Sequence, residues 1–275
     1  MDVSELIRKE GLRRGLSPKT IKTYRYGVER FLSTCKKDVN KITKKDIREF
    51  IDHLIEKKKA GNTLNVYLNS IKFLMENILG KRLFYNIKYS KVPKRLPTVL
   101  TKEEVKRLVE CIANKKHRLM IKMMYSAGLR VNELVNLKVK DFEFEKNYGW
   151  VREGKGKKDR LFIIAEKISK ELKDWIKENE LEYDSHLFKG NKNRKISTET
   201  ANIIIKNAAK KAGIKKNVHA HTMRHSFATH LIENGYSVND VQSLLGHSKP
   251  ETTMIYVHIA SPSMINIKSP LDNLD

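Results

Sequence analysis

The chain has 275 residues, with 56 Lys and Arg against 32 Asp and Glu and a formal charge of +24. That length suffices for two domains with separate cores, and a charge of that size points to a polyanionic partner rather than to a particular fold. No apolar run approaches the ~20 residues of a membrane span and MDVSELIRKEG lacks a signal-peptide core, so a cytoplasmic protein without a membrane partner is expected.

The first part of the chain reads as helices. A short one is predicted near residues 3 to 11. In LSPKTIKTYRYGVERFL, Ser17 is an N-cap, Pro18 takes the first helical position, and Ile21, Tyr24, Val28, Phe31 and Leu32 form one stripe. Thr43 with Asp46 starts a third helix through Ile47, Phe50, Ile51 and Leu54. A fourth runs from Asn62 or Thr63 through Leu64, Leu68, Ile71, Leu74 and Ile78 to Gly80. Together they predict a basic bundle over residues 1–85. NIKYSKVPKRLPTVL has two prolines and no period, so residues 86–97 are expected to be a linker. Up to residue 97 the chain has 24 basic residues against 10 acidic, and afterwards 32 against 22, so both halves are strongly positive.

A second domain, residues 98–260, opens with Thr101 and Glu104 as a capping box and Val105, Leu108, Val109 and Ile112 as its apolar stripe. A further helix is predicted at 116–127, ending at Gly128, and another near Val131. Residues 141–164 change period, with FEFEKNYGWV and LFII flanking a Gly-Lys-Gly turn, and predict two or three short strands. Helices follow near 166–179, 198–212, 222–234, 238–245 and 250–257. The fold class is mainly α with a small antiparallel sheet, in two domains. Cys35 and Cys111 have no metal-binding spacing and read as reduced thiols.

The stretch HAHTMRHSFATH raises the question of zinc, because His221 and His225 share a helical face at i, i+4. Thr222 stands where a metalloprotease helix needs glutamate, and Arg224 sets a permanent cation beside any dication. Arginine and histidine on one turn suit an anion instead, so no metal and no cofactor is expected. His221 and Arg224 are read as lying at or just before the N-terminus of a helix beginning near His225. Arg130, in AGLRVNEL, sits at another predicted helix start, where a shared phosphate would offset the unfavourable dipole. Lys155 stands between two glycines at a hairpin tip, His247 follows Gly246 in a turn, and Tyr256 is about two turns into the last helix.

Taken singly, each fits an ordinary role. Arg130 can pair with Glu133 at i+3, Lys155 can be a solvated turn, Tyr256 can be core, and His219, His225 and His230 can be packing residues. Taken in order, Arg130, Lys155, His221, Arg224, His247 and Tyr256 resemble the tyrosine recombinase family, closest to its Xer-type members. The strings AGLRVNEL, GKGKKDR, HTMRHSFATHLIENG and VQSLLGHSKPETTMIYVH carry the resemblance; the one small departure is Met223, where relatives usually have leucine. It covers residues 98–260 strongly and the helical core-binding bundle in architecture only.

The resemblance implies that Tyr256 attacks a DNA phosphodiester to give a 3′-phosphotyrosyl enzyme and a free 5′-hydroxyl, without metal or ATP. Arg130, Arg224 and His247 would hold the non-bridging oxygens, Lys155 would protonate the leaving oxygen, His221 would support acid/base work, and Glu133 would orient the arginines. It also implies double-stranded DNA with a specific site as partner, clamped by both domains. A dimer would form per site, a tetramer in synapsis, and the tail 261–275 would be passed between protomers. Three readings follow: an Xer-like resolvase of chromosome dimers, an integrase of a virus or mobile element, and a catalytically silent DNA-binding relative. The compact length favours the first.

Overall fold

The structure is a computed structural model that describes residues 2–84, 86–93, 96–152, 159–190, 194–246 and 251–257. The chain divides into two compact units, residues 1–95 and 96–275.

The first unit has helices α1 (Val3–Arg13), α2 (Pro18–Cys35), α3 (Lys44–Glu56) and α4 (Gly61–Lys72). The Ser17 hydroxyl caps α2 by accepting from the Thr20 amide, with Pro18 at the first helical position. Thr43 and Asp46 close a reciprocal box on α3. The last turns of α4 widen into a π-helix over Phe73–Ile78, which sequence period alone does not distinguish from a continuing α-helix. Phe31, Phe50 and Tyr67 meet edge-on in the core, with centroids 5.2 and 5.5 Å apart, and Ile7, Ile47, Leu68, Ile71 and Leu74 fill in around them. The start of the predicted linker is tied to this bundle: Asn65 donates to the Ser90 carbonyl and accepts from its amide, and the Tyr89 hydroxyl donates to Asn69.

The second unit has α5 (Lys102–Glu110), α6 (Lys115–Ser126) and α7 (Val131–Asn136), then strands β1 (Phe142–Glu143), β2 (Tyr148–Val151) and β3 (Arg160–Ile163). It continues with α8 (Glu166–Glu178), α9 (Thr198–Lys211), α10 (Ala220–Glu233), α11 (Val238–Leu245) and α12 (Glu251–Val257). The strands form one antiparallel sheet in the order β1-β2-β3, with Val151 opposite Arg160. Thr101 and Glu104 make the expected box on α5.

Helix α10 is buried on nearly all sides and packs against α6, α9, α11 and α12. Its interior polar groups are matched to specific partners. Ser226 accepts from the Leu100 amide and donates to the Thr222 carbonyl, and His230 Nδ1 lies 2.8 Å from the Tyr125 hydroxyl. Such a helix lacks a polar face, which is why its limits are poorly legible from period. Two glycines with positive φ end the helices that surround the site. Gly128 (φ +57°) follows α6, and a Cβ there would meet Phe227 at 2.4 Å; Gly246 (φ +60°) follows α11, and a Cβ would meet Arg160 Cδ at 2.8 Å.

Candidate active site

The site is built around one buried carboxylate. Arg130 is the N-cap of α7, and its amide donates to Glu133 Oε2 at 2.9 Å while its Nη1 donates to Oε1 at 2.6 Å. Arg160, the first residue of β3, donates from Nη2 to Glu133 Oε2 at 2.6 Å. Arg224 approaches the same oxygen from α10 at 3.7 Å and donates to the Gly128 carbonyl at 2.7 Å. Arg224 and Arg160 also take the last carbonyls of α11, Leu245 and Leu244 respectively, at the negative end of that helix.

Three guanidiniums thus share a single carboxylate, which leaves an excess of two positive charges among these four side chains. Burial alone would raise the Glu133 pKa, but Arg160, the Arg130 amide and Arg130 itself outweigh it and hold it below the ordinary range. Burial, aided by repulsion from Arg130, pulls Arg224 down to about 9. A bound anion relieves that repulsion, and the pentacoordinate phosphorus of phosphoryl transfer, with its growing negative charge, matches the excess. A groove of about 850 Å³ opens beside Arg130 and Glu133, lined further by Asn136, Lys138, Lys140 and Arg152.

Tyr256, on α12, is 3% exposed and packs with Phe227, Val241 and Leu245. Its hydroxyl lies 3.1 Å from His225 Nδ1. Burial raises the phenol pKa, while the charges of Arg224 and Arg130 pull it back down, so the hydroxyl already feels both guanidiniums. His225 is half-buried; burial first, then His221, His219 and Arg224, bring its pKa down to about 4. Burial, His219 and Arg224 likewise lower that of His221.

The pattern of arginines gathered over one glutamate, with a tyrosine from the last described helix beside them, occurs in a unit whose residues 98–262 match the phage integrase family. Residues 5–84 match the N-terminal SAM-like domain of phage integrases. The chain belongs to the phage integrase family. It is a tyrosine recombinase, an enzyme that cuts and rejoins DNA. It is 36% identical over 254 residues to tyrosine recombinase XerA of Pyrococcus furiosus, which covers 90% of this chain and 86% of the relative. To a tyrosine recombinase of Thermosipho africanus it is 34% identical over 257 residues, covering 89% and 90%. The crystal structure of XerH site-specific recombinase bound to palindromic difH substrate, a post-cleavage complex, superposes with a TM-score of 0.73 at 26% identity, covering 94% of this chain and 82% of that one.

Of the residues expected from sequence, the recombinase brings Arg130, Glu133 and Arg224 together and sets Tyr256 within their field. His221 is exposed, one turn before His225, with ring centroids 6.1 Å apart. Lys155, His247 and the tail 261–275 lie outside the described residues.

One expectation is corrected. The helix does not begin near His225: α10 begins at Ala220, which puts His221 at its N-terminus, in the first turn, and Arg224 inside the helix. The cause is an unusual cap: His219 Nδ1 accepts from the Thr222 amide while the Thr222 hydroxyl accepts from the His219 amide, so histidine takes the place of serine or aspartate.

Two residues at the site were not among the site residues expected from sequence. Arg160 ends GKGKKDR at a position where alternation along β3 turns the side chain inward, and a basic residue heading a buried strand face is the signal that could have found it. His225 read as a packing residue, and only the fold of α12 onto α10 shows it against Tyr256. Among the described residues, no group of three or more His, Cys, Asp or Glu is placed to hold a metal, and no helix is long and apolar enough to cross a membrane.

Proposed function

We propose that this recombinase acts on a specific site in double-stranded DNA and serves an Xer-like role, separating chromosome dimers into monomers. Tyr256 is the nucleophile in this reading. Its oxygen bonds to phosphorus as the P–O5′ bond breaks, leaving a 3′-phosphotyrosyl enzyme and a 5′-hydroxyl. A phenol of pKa ~10 is a far better leaving group than a sugar hydroxyl, so the attachment reverses without ATP. Arg130, Arg224 and His247 hold the non-bridging oxygens, Lys155 protonates the leaving oxygen, His221 supports proton transfer, and Glu133 fixes the arginines.

The observation that supports this most is the approach of Arg130 and Arg224 to a single carboxylate, from α7 and α10, beside Tyr256. The groove lined by Lys138, Lys140 and Arg152 adds a basic surface next to it. With +24 on the chain, affinity for DNA is expected to fall steeply with salt. Two protomers per site and four in synapsis complete the reading, with the tail 261–275 exchanged between neighbours.

The Xer-like role rests on similarity to XerA over most of both chains. It is tested with a plasmid carrying two directly repeated copies of a host chromosomal site recovered by binding selection. Resolution into two circles by the purified protein, without ATP, is expected. Recombination only between two unlike sites, one of them from a mobile element, would assign the protein to integration instead.

A further inference from the structure

We propose that Arg160 is a positioning residue that holds Arg224 at its working distance from Glu133 by occupying the anchors the two arginines share. This rests on the reading of Arg130 and Arg224 as groups that hold the non-bridging phosphate oxygens.

The two arginines come from different elements, Arg160 from β3 and Arg224 from α10, and converge on the same pair of anchors. The first is Glu133 Oε2, which accepts from Arg160 Nη2 at 2.6 Å while Arg224 Nη1 stands off at 3.7 Å, beyond hydrogen-bond length. The second is the carboxyl end of α11, where Arg160 takes the Leu244 carbonyl and Arg224 the next one, Leu245. Between the anchors the stem of Arg160 passes close to Gly246, where a Cβ would meet its Cδ at 2.8 Å, so the glycine that ends α11 also makes room for the arginine. The side chain is 8% exposed, and its Nε is buried without a hydrogen-bond partner among the described residues.

Neutralising Glu133 does not require Arg160. Arg130 already grips the carboxylate with its amide and its Nη1, and Arg224 lies within ion-pair range. A third guanidinium adds like-charge repulsion and strands a buried donor, both of which disfavour the fold. What Arg160 supplies is a stop. With it in place, Oε2 already accepts from the Arg130 amide and from Arg160 Nη2, so Arg224 gains little by closing further. Without it, the half-vacated oxygen draws Arg224 inward by roughly 1 Å, to hydrogen-bond length, and turns its charge from the phosphate to Glu133. A misplacement of that size is enough to slow a reaction about 100-fold. The stop is stiff, because Arg160 is fixed at its backbone by pairing with Val151 on β2 and at its tip by both anchors.

The test uses the full chain at saturating concentration on nicked suicide duplexes, reading single-turnover formation of the covalent adduct. Three substrates are compared: the natural phosphate, a methylphosphonate that lacks one charged non-bridging oxygen, and a 5′-bridging phosphorothiolate whose thiolate leaves without needing a proton. Arg160→Met keeps an unbranched stem beside Gly246 and leaves Glu133 paired with Arg130 and Arg224, so the unfolding midpoint and DNA affinity should stay near wild type. Its rate is expected to fall about 10- to 100-fold on the phosphate and less than about threefold on the methylphosphonate, with no recovery on the phosphorothiolate. Arg160→Lys keeps the charge but reaches one anchor at a time, so it should show the same pattern more weakly, and it carries the test if the Met variant does not fold. The proposal is overturned if either folded variant cleaves the phosphate at the wild-type rate, if the loss is equal on all three substrates, or if the phosphorothiolate restores the rate, which would assign Arg160 to the leaving-group proton instead. The underlying reading fails separately: an Arg224→Lys protein with the wild-type ratio of phosphate to methylphosphonate cleavage would remove Arg224 from the phosphate, whatever the Arg160 variants do.

Discussion

The two units treat buried charge differently. Among the described residues of the first unit, Asp46 is the one ionisable group counted with the buried polar residues, and it serves a helix cap. The second buries Glu133, Arg160 and Arg224 together, and Asp141 and His230 nearby in sequence or fold. A bundle stabilised by apolar contacts can lose one of them without altering any chemistry. A site in which three cations share one carboxylate has its stability and its reactivity in the same side chains, and the buried ions contribute through specific geometry rather than net stabilisation.

The sharpest way to test this contrast is Glu133→Gln. It leaves three buried or half-buried guanidiniums without their counterion, which should cost about 3–5 kcal/mol. Because the arginines lose their alignment, cleavage should also slow by roughly a hundredfold or more. Denaturant unfolding and single-turnover cleavage read the two effects, and a variant impaired in only one would separate what the structure joins. In the first unit, Phe31→Ala removes a fully buried ring and should cost a similar ~3–5 kcal/mol. The adduct formed per molecule of bound complex should nevertheless be unchanged. A fall in that ratio would show that the bundle takes part in the chemistry.

Asp46→Asn tests a smaller effect. The hydrogen bond from Lys37, then the Thr43 amide, hold the Asp46 carboxyl at about 2, below its ordinary 3.8. A depressed carboxyl contributes stability that is fully present above its unfolded pKa and is lost as pH falls from about 4 towards 2. The variant should therefore lose about 1 kcal/mol at neutral pH, the value of a cap, and the gap to wild type should close over that acid range. A gap that persists at pH 2 would contradict the assignment. The smallest effect is none: EDTA should leave adduct formation unchanged, because a dication placed among Arg130, Arg160 and Arg224 meets net positive charge. A loss of cleavage on chelation would restore a metal to the mechanism.

Elements whose ends are set by local chemistry were legible in the sequence. Ser17 with Pro18, Thr43 with Asp46, and Thr101 with Glu104 all cap helices where the residues predict them, since the cap needs only its own first turn. The start of α10 was not legible because its cap is a histidine and its faces are buried on nearly all sides. The π-helical end of α4 leaves no mark in a short apolar pattern. At the site, Arg130, Glu133, Arg224 and Tyr256 could be picked out because ordered motifs spanning the domain restrict one another. Arg160 and His225 depend on contacts across 27 and 31 positions of sequence, and no local spacing encodes those.

The central claim is that the Tyr256 oxygen bonds to DNA phosphorus under the field of Arg130 and Arg224. The most direct measurement is mass spectrometry of the peptide recovered from a trapped complex with a nicked suicide duplex in EDTA. A phosphonucleotide on the peptide containing Tyr256, absent from Tyr256→Phe and sharply reduced in Arg224→Lys, is the predicted result. An adduct on any other residue, or one that persists in Tyr256→Phe, would contradict it.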